Sequence, residues 1–145
     1  MKKRTKSREY AVQMMYQAEI MTDPHDVSSY AVNDIKDIFW KSFDPVASDI
    51  REFSEELFCC SFENRAEHDR MISQFLKESW SLERLGEMEK CILRVALEEL
   101  LNSSTPAYAV LDDYVTLTKK FTDEKTASFV NGLLEKVRNN FTCES

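Results

Sequence analysis

Apolar side chains recur at three- and four-residue steps in one segment after another, and each run ends at a recognisable stop, which predicts a series of short amphipathic helices. The first run begins at Ser7 and carries Ala11, Met15 and Ala18, with Val12, Tyr16 and Ile20 on a neighbouring line. Thr22-Asp23-Pro24 stops it. A second, capped by Ser28 or Ser29, presents Ile35, Ile38, Phe39 and Phe43. Asp44-Pro45 reads as a cap followed by proline at the first helical position, opening a third with Ile50, Phe53, Leu57 and Cys60. A fourth, from about Glu67, shows Met71, Ile72, Phe75 and Leu76, with a joint at Trp80-Ser81. The fifth runs from about Glu83 to Asn102 around Met88, Cys91, Ile92 and Val95, with Ala96 at its margin. The stretch from Asn102 to Pro106 gives a stop, a cap and a new start. The sixth presents Ala107, Val110, Leu111, Tyr114, Leu117 and Phe121. After Thr122 or Asp123, the seventh presents Val130, Leu133, Leu134, Val137 and Phe141.

Seven such helices in 145 residues predict one compact all-α domain over residues 1–145, with a flexible basic arm at 1–7. Composition agrees. There are only 2 Gly and 3 Pro, and no long alternating run of β-branched residues. The stretch from Thr22 to Ser29 is the expected mobile loop. No apolar run approaches the roughly 20 residues that span a bilayer. The basic N-terminus lacks the apolar core of a signal peptide, so a cytosolic location is expected. The four cysteines, Cys59, Cys60, Cys91 and Cys143, form no C-x-x-C pair and read as small reduced hydrophobes.

Charge adds a functional hint. The net charge is −7, yet Lys2, Lys3, Arg4, Lys6 and Arg8 all precede the first acid, Glu9. With those five cations set aside, the remaining chain stands at −12. Bare phosphate would be repelled by such a body and attracted by the arm. Lysine and arginine there can reach phosphates, and arginine can stack on unpaired bases. The alternative is a plain solvated terminus.

Candidate chemistry is sparse. His25 and His68 are the only histidines, and no Cys/His cluster has metal-ligand spacing. Asp112 and Asp113 are helix neighbours pointing apart, read as solvated surface. No serine sits in a nucleophile elbow, and Gly86 and Gly132 are too isolated to cradle phosphate. No enzyme activity, metal or cofactor is expected; binding is.

Four segments stand in order along the chain: Arg8-Glu9-x-Ala11-Val12-Gln13-x-x-Tyr16, then Glu89-Lys90 with Leu93-Arg94, Ala96 and Glu99-Leu100, then Pro106 with Val110 and the stretch from Leu117 to Phe121, and last Phe129-Val130-Asn131-Gly132. Together they resemble the NusB family of transcription antitermination factors. The resemblance covers nearly the whole chain and is weakest between about Met21 and Glu67. It implies two small helical bundles packed across each other and no catalysis. It further implies binding of single-stranded boxA RNA together with the ribosomal protein NusE, within an antitermination assembly on RNA polymerase during ribosomal RNA transcription. A homodimer is left open.

Carried over by position, Lys2, Lys3, Arg4, Lys6, Arg8, Tyr16 and Phe129 fall where the family meets RNA. Tyr16, Glu83 and Glu89 fall on the side facing NusE, where acids suit a basic ribosomal protein. A base stacked on Phe129 gives that residue a physical reason. For Arg94 and Glu99 the preferred reading is a helix-surface or interhelical ion pair. Asn131-Gly132 is read chiefly as structural. Glycine costs about 1 kcal/mol in a helix, which close approach of another helix could offset, and Asn131 could bond neighbouring backbone. The chain departs from the family in having only two arginines in its arm, and in carrying Lys125, Thr126, Ala127 and Ser128 where relatives often show an acid and a base. A protein-only adaptor with lost RNA affinity is therefore the second expectation. A third is the NusB-like domain that precedes an RNA methyltransferase in some larger proteins, against which the lack of a catalytic domain after residue 145 counts.

Overall fold

A computed structural model describes residues 2–21, 29–76 and 81–141. It contains α1 (Lys3–Met21), α2 (Ser29–Lys41), α3 (Ser48–Glu63), α4 (Arg65–Phe75), α5 (Glu87–Asn102), α6 (Ala107–Phe121) and α7 (Glu124–Phe141). A single 3₁₀ turn, Leu82–Arg84, precedes α5. No strand occurs among the described residues. The all-α expectation with seven helices holds. Helices α1 to α3 form one small bundle, α4 to α7 the other, and α1 and α5 meet where the two pack across each other.

Helix α5 is the axis. Every residue from Cys91 to Leu100 is buried, because α1, α3, α4, α6 and α7 surround it. A helix buried on all sides needs internal partners for its polar residues, and Arg94, Glu98 and Glu99 have them (below). Glu87 and Glu89 sit in its first turn, where carboxylates oppose the positive helix end. Helix α7 is started by Asp123, whose Oδ1 accepts the Thr126 amide at 2.7 Å. Small residues let α1 and α3 approach closely: Ser54 Oγ donates to the Ser7 carbonyl at 3.0 Å, and Ser7 Oγ donates to the Ile50 carbonyl at 3.3 Å.

Several expectations need correction. Helix α1 is helical from Lys3, four residues earlier than its apolar pattern, since contacts with α3 and α6 hold its polar first turns. Helix α3 starts at Ser48 after an Ala47 cap, not at Pro45, and Val46 packs on the core in the preceding stretch. The predicted fifth helix is two elements, so Glu83 lies on the 3₁₀ turn and not on α5. Ile38 is exposed, while Trp40, absent from the predicted face, is buried with Tyr10, Phe39 and Phe43 in an edge-to-face aromatic cluster. Of the predicted mobile loop from Thr22 to Ser29, residues 22–28 lie outside the described residues and Ser29 opens α2; of the predicted joint at Trp80-Ser81, Trp80 lies outside them.

Candidate nucleic-acid and partner interface

The basic end of α1 is not a bare string of cations. Lys2, Lys3 and Arg4 are exposed and Lys6 is half-buried. Lys3 Nζ bonds Asp49 of α3 at 2.9 Å, with both side chains mostly in water; such a solvent-screened pair is weak and yields to a stronger anion. Arg4 lies over the Phe53 ring, 3.6 Å from its centre, and Lys6 lies 5.0 Å from the centre of Tyr10. Stacking of this kind directs the cation while leaving its outer face to solvent.

Arg8 is different in kind. It is 6% exposed. Its Nε and Nη2 donate to the two oxygens of Glu99 at 2.8 and 2.6 Å, and Nη1 donates to Asp113 Oδ2 at 2.6 Å. Tyr114 Oη and Thr105 Oγ1 donate to the same Glu99 carboxylate at 2.8 and 3.0 Å, and Thr5 Oγ1 donates to Asp113 Oδ1 at 3.1 Å. Burial works against charge on both partners. The mutual bonds and charges outweigh it, raising the Arg8 pKa and holding Glu99 below the usual carboxylate range. Burial, then the charge of Glu99, drives the Tyr114 hydroxyl well above its ordinary value. Arg8 thus faces the interior, and Asp113 is part of an internal network instead of solvated surface; Asp112 is exposed. Arg94 and Glu99 are both interhelical ion-pair residues, although with different partners: Arg94 pairs with Glu19 and Asp69.

A groove of about 680 Å³ brings two other expected contact residues together. Glu89 at the start of α5 and Phe129 near the start of α7 both line it, with Phe75 and Leu85 on its apolar wall and Lys125 and Lys136 at hand. Phe129 is half-buried and packed on the core, so its ring is held with one part available. Glu89 Oε1 also accepts the Gly86 amide at 2.8 Å, closing the start of α5. Glu83 is exposed on the 3₁₀ turn, and Tyr16 is half-buried on α1. Asn131 and Gly132 are exposed. A Cβ at Gly132 would meet nothing within 4 Å, so the expected close approach of another helix is absent; Gly132 instead forms part of the groove wall.

Sequence reasoning missed Lys120. Its ammonium bonds Glu9 Oε2 of α1 at 2.7 Å while its side chain remains 46% exposed. Glu9 Oε1 is buried and unpartnered among the described residues, so Lys120 carries the compensation of that charge. The adjacent pair Lys119-Lys120, followed by Lys125, was the available signal. Lys119 and Lys120 lie in the last turn of α6 and Lys125 in the first turn of α7, where it lines the Phe129 groove.

His68 and Glu98 bond at 2.8 Å in the interior, with Asn64 on the same carboxylate. Among the described residues no group of three or more His, Cys, Asp or Glu is placed to hold a metal ion, and no helix is long and apolar enough to cross a membrane.

These features define a class: a two-bundle helical scaffold whose candidate contact residues lie on α1, the 3₁₀ turn, α5 and α7. The NusB family model matches residues 5–139, and the chain belongs to that family. It is 33% identical to the transcription antitermination protein NusB of Anaeromyxobacter dehalogenans, over 93% of this chain and 89% of the relative. It is 34% identical to NusB of Macrococcus caseolyticus, over 94% and 97%. Among solved structures, a complex of antitermination factors NusB and NusE with dsRNA matches with TM-score 0.75 and 27% identity, covering 97% of this chain and 99% of that one. The solution structure of NusB from Aquifex aeolicus matches with TM-score 0.68 and 30% identity, covering 100% and 93%.

Proposed function

We propose that this chain is a cytoplasmic transcription antitermination factor that binds boxA-type single-stranded RNA jointly with NusE, as part of an assembly on RNA polymerase in ribosomal RNA transcription. The observation that carries this reading is membership of the NusB family combined with the division of surface: cations on the first turns of α1, and Glu83 on the 3₁₀ turn with Glu89 at the start of α5. Lys2, Lys3, Arg4 and Lys6 serve the phosphates, Phe129 stacks a base, and Tyr16, Glu83 and Glu89 face the basic ribosomal protein. The solved relative with NusE holds double-stranded RNA, so strand preference belongs to the test.

That test titrates labelled boxA RNA with the protein, alone and with NusE, at several salt concentrations and against a duplex competitor. Weak binding alone and a clear gain with NusE are expected. With about three phosphates neutralised, log affinity falls against log salt with a slope near −2. Unchanged RNA affinity on adding NusE would count against a shared platform. Phe129→Ala should weaken RNA binding by about 1–3 kcal/mol.

A protein-only adaptor is the second reading. Its specific support is that Lys3 is paired with Asp49 and Arg8 is consumed internally, which reduces the free positive charge of α1. It requires full NusE affinity with RNA binding that is negligible even in the joint complex.

A further inference from the structure

We propose that Arg8 is a positioning residue and not an RNA contact: its buried pair with Glu99, braced by Asp113, fixes the first turns of α1 so that Lys2, Lys3, Arg4 and Lys6 are presented as one rigid cationic face. This rests on the RNA-binding reading above.

The geometry leaves Arg8 little else to do. Its side chain is 7% exposed and that of Glu99 1%. Three guanidinium N–H groups are committed to two carboxylates on two different helices, α5 and α6. Both oxygens of Glu99 accept a second donor, from Tyr114 and Thr105, so the carboxylate is itself held from α6 and from the turn before it. A phosphate reaching for Arg8 would have to compete with two anions already at hydrogen-bond distance inside the protein.

The same network reaches outward along α1. Thr5 Oγ1 binds the Asp113 oxygen that Arg8 does not use. Ser7 meets α3 twice: its carbonyl accepts from Ser54 Oγ at 3.0 Å, and its Oγ, which donates to the Lys3 carbonyl of its own helix at 3.0 Å, also lies 3.3 Å from the Ile50 carbonyl. Arg8, Ser7 and Thr5 therefore tie three of the four positions of one helical turn to α5, α3 and α6. The cations at 2, 3, 4 and 6 lie on or just before that turn. A helix end is ordinarily frayed, and ordering flexible side chains and backbone at the moment of binding costs affinity. Prior ordering by internal bonds removes that cost without adding any contact to RNA.

The sign of one substitution separates positioning from contact. Glu99→Gln and Asp113→Asn each remove a negative charge near the basic face, so electrostatics alone predicts tighter RNA binding. The positioning role predicts the opposite. The experiment titrates labelled boxA RNA with NusE present, over several salt concentrations, using the full chain and the variants E99Q, D113N, R8M, R8M/E99Q and T5V. Hydrogen exchange at residues 3–9, urea stability and NusE affinity are measured alongside. E99Q and R8M should each lower RNA affinity about fivefold or more, with NusE affinity and the salt slope unchanged and exchange at residues 3–9 accelerated. The double variant should be no weaker than the weaker single one. D113N and T5V, which leave Arg8–Glu99 in place, should lower affinity two- to threefold, and they carry the test if R8M or E99Q does not fold.

A salt slope reduced by about one in R8M, with E99Q binding RNA as well as or better than wild type, would overturn the proposal and make Arg8 a phosphate contact. Undiminished RNA affinity in T5V and D113N with accelerated exchange at residues 3–9 would overturn it equally. In either case wild-type binding leaves the RNA-binding reading standing. A wild-type chain with no affinity for the RNA, alone or with NusE, would overturn that reading and this inference together.

Discussion

Arg94 grips Asp69 side-on, Nε to Oδ1 at 2.8 Å and Nη2 to Oδ2 at 2.9 Å, while its remaining terminal nitrogen reaches Glu19 Oε1 at 2.6 Å. One guanidinium therefore joins α5, α4 and α1. Burial disfavours its charge, but the bonds and charges of Asp69 and Glu19 prevail and raise its pKa. Two-point pairing of this kind is available to arginine and not to lysine.

Removing Arg94 should expose the value of that junction. Both carboxylates are more than two-thirds buried and would lose the guanidinium bonded to them, keeping the nearby charge of Arg65. Arg94→Ala should therefore destabilise the fold by about 3 kcal/mol, the lower end for breaking a buried pair, since some water can reach the orphaned acids. Asp69→Asn should cost less, because Arg94 keeps Glu19. Urea unfolding measures both. A loss below about 1 kcal/mol for Arg94→Ala would place this pair with ordinary surface ion pairs.

Glu89 has two separable duties, one inside the chain and one proposed for the partner. Its Oε1 accepts the Gly86 amide, a bond that glutamine can also accept. Glu89→Gln should keep thermal stability close to wild type and lower affinity for NusE. Glu89→Ala should lower affinity similarly and also cost about 1 kcal/mol of stability through the lost cap. Calorimetric titration and thermal unfolding separate the two effects. Wild-type NusE affinity in Glu89→Gln would remove Glu89 from the partner surface.

How far the chain could be read in advance follows from what periodicity measures. It registers faces, so it found the apolar stripes of α6 and α7, whose outer sides are polar. It says little about α1, where polar Ser7, Arg8 and Glu9 are as buried as Ala11 and Val12. The basic residues at the start of α1 suggested an arm, because the acids that order them, Asp49, Glu99 and Asp113, lie far along the chain. Glu89 and Phe129 were recognisable from motif position, but nothing local in either motif indicated that the two line one groove. Gly132 misled for a related reason: its lack of a side chain looked like a packing requirement, and its surroundings are open.

The Arg8–Glu99 pair has a consequence for acid stability. Glu99 is held below its ordinary pKa of 4.5, despite the opposing effect of burial, by Arg8, Tyr114 and Thr105. A depressed folded-state value means that the unfolded chain takes up the proton first. The stabilisation is then fully present above about pH 4.5 and is lost as pH falls through the folded-state value. Asp49, through Lys3, and Asp123, through the Thr126 amide, are shifted the same way at the surface. Urea midpoints measured from pH 7 to pH 3 should stay level and then drop below about pH 4.5. In Glu99→Gln the midpoint should start lower and fall less steeply, since this buried carboxylate with its lowered pKa no longer titrates. An equally steep fall in that variant would show that other carboxylates control acid unfolding.

Gly132 lies within α7 with an ordinary helical backbone, and a methyl group there would meet no atom within 4 Å. Helix propensity then acts unopposed, so Gly132→Ala should stabilise the protein by roughly 0.5–1 kcal/mol. A chain that forgoes this gain at an exposed position keeps the groove wall flat beside Phe129. If a base enters the groove, bulk at 132 should hinder it in proportion to size. Gly132→Ala should then bind boxA RNA with NusE slightly less well than wild type, and Gly132→Gln at least fivefold less well, while both unfold at higher temperature than wild type. Melting temperature and RNA titration on the same samples supply the comparison. Higher stability with undiminished RNA affinity in Gly132→Gln would place the stacked base outside this groove, and would confine the RNA surface to the cationic face of α1 and to Lys119, Lys120 and Lys125 on either side of the α6–α7 turn.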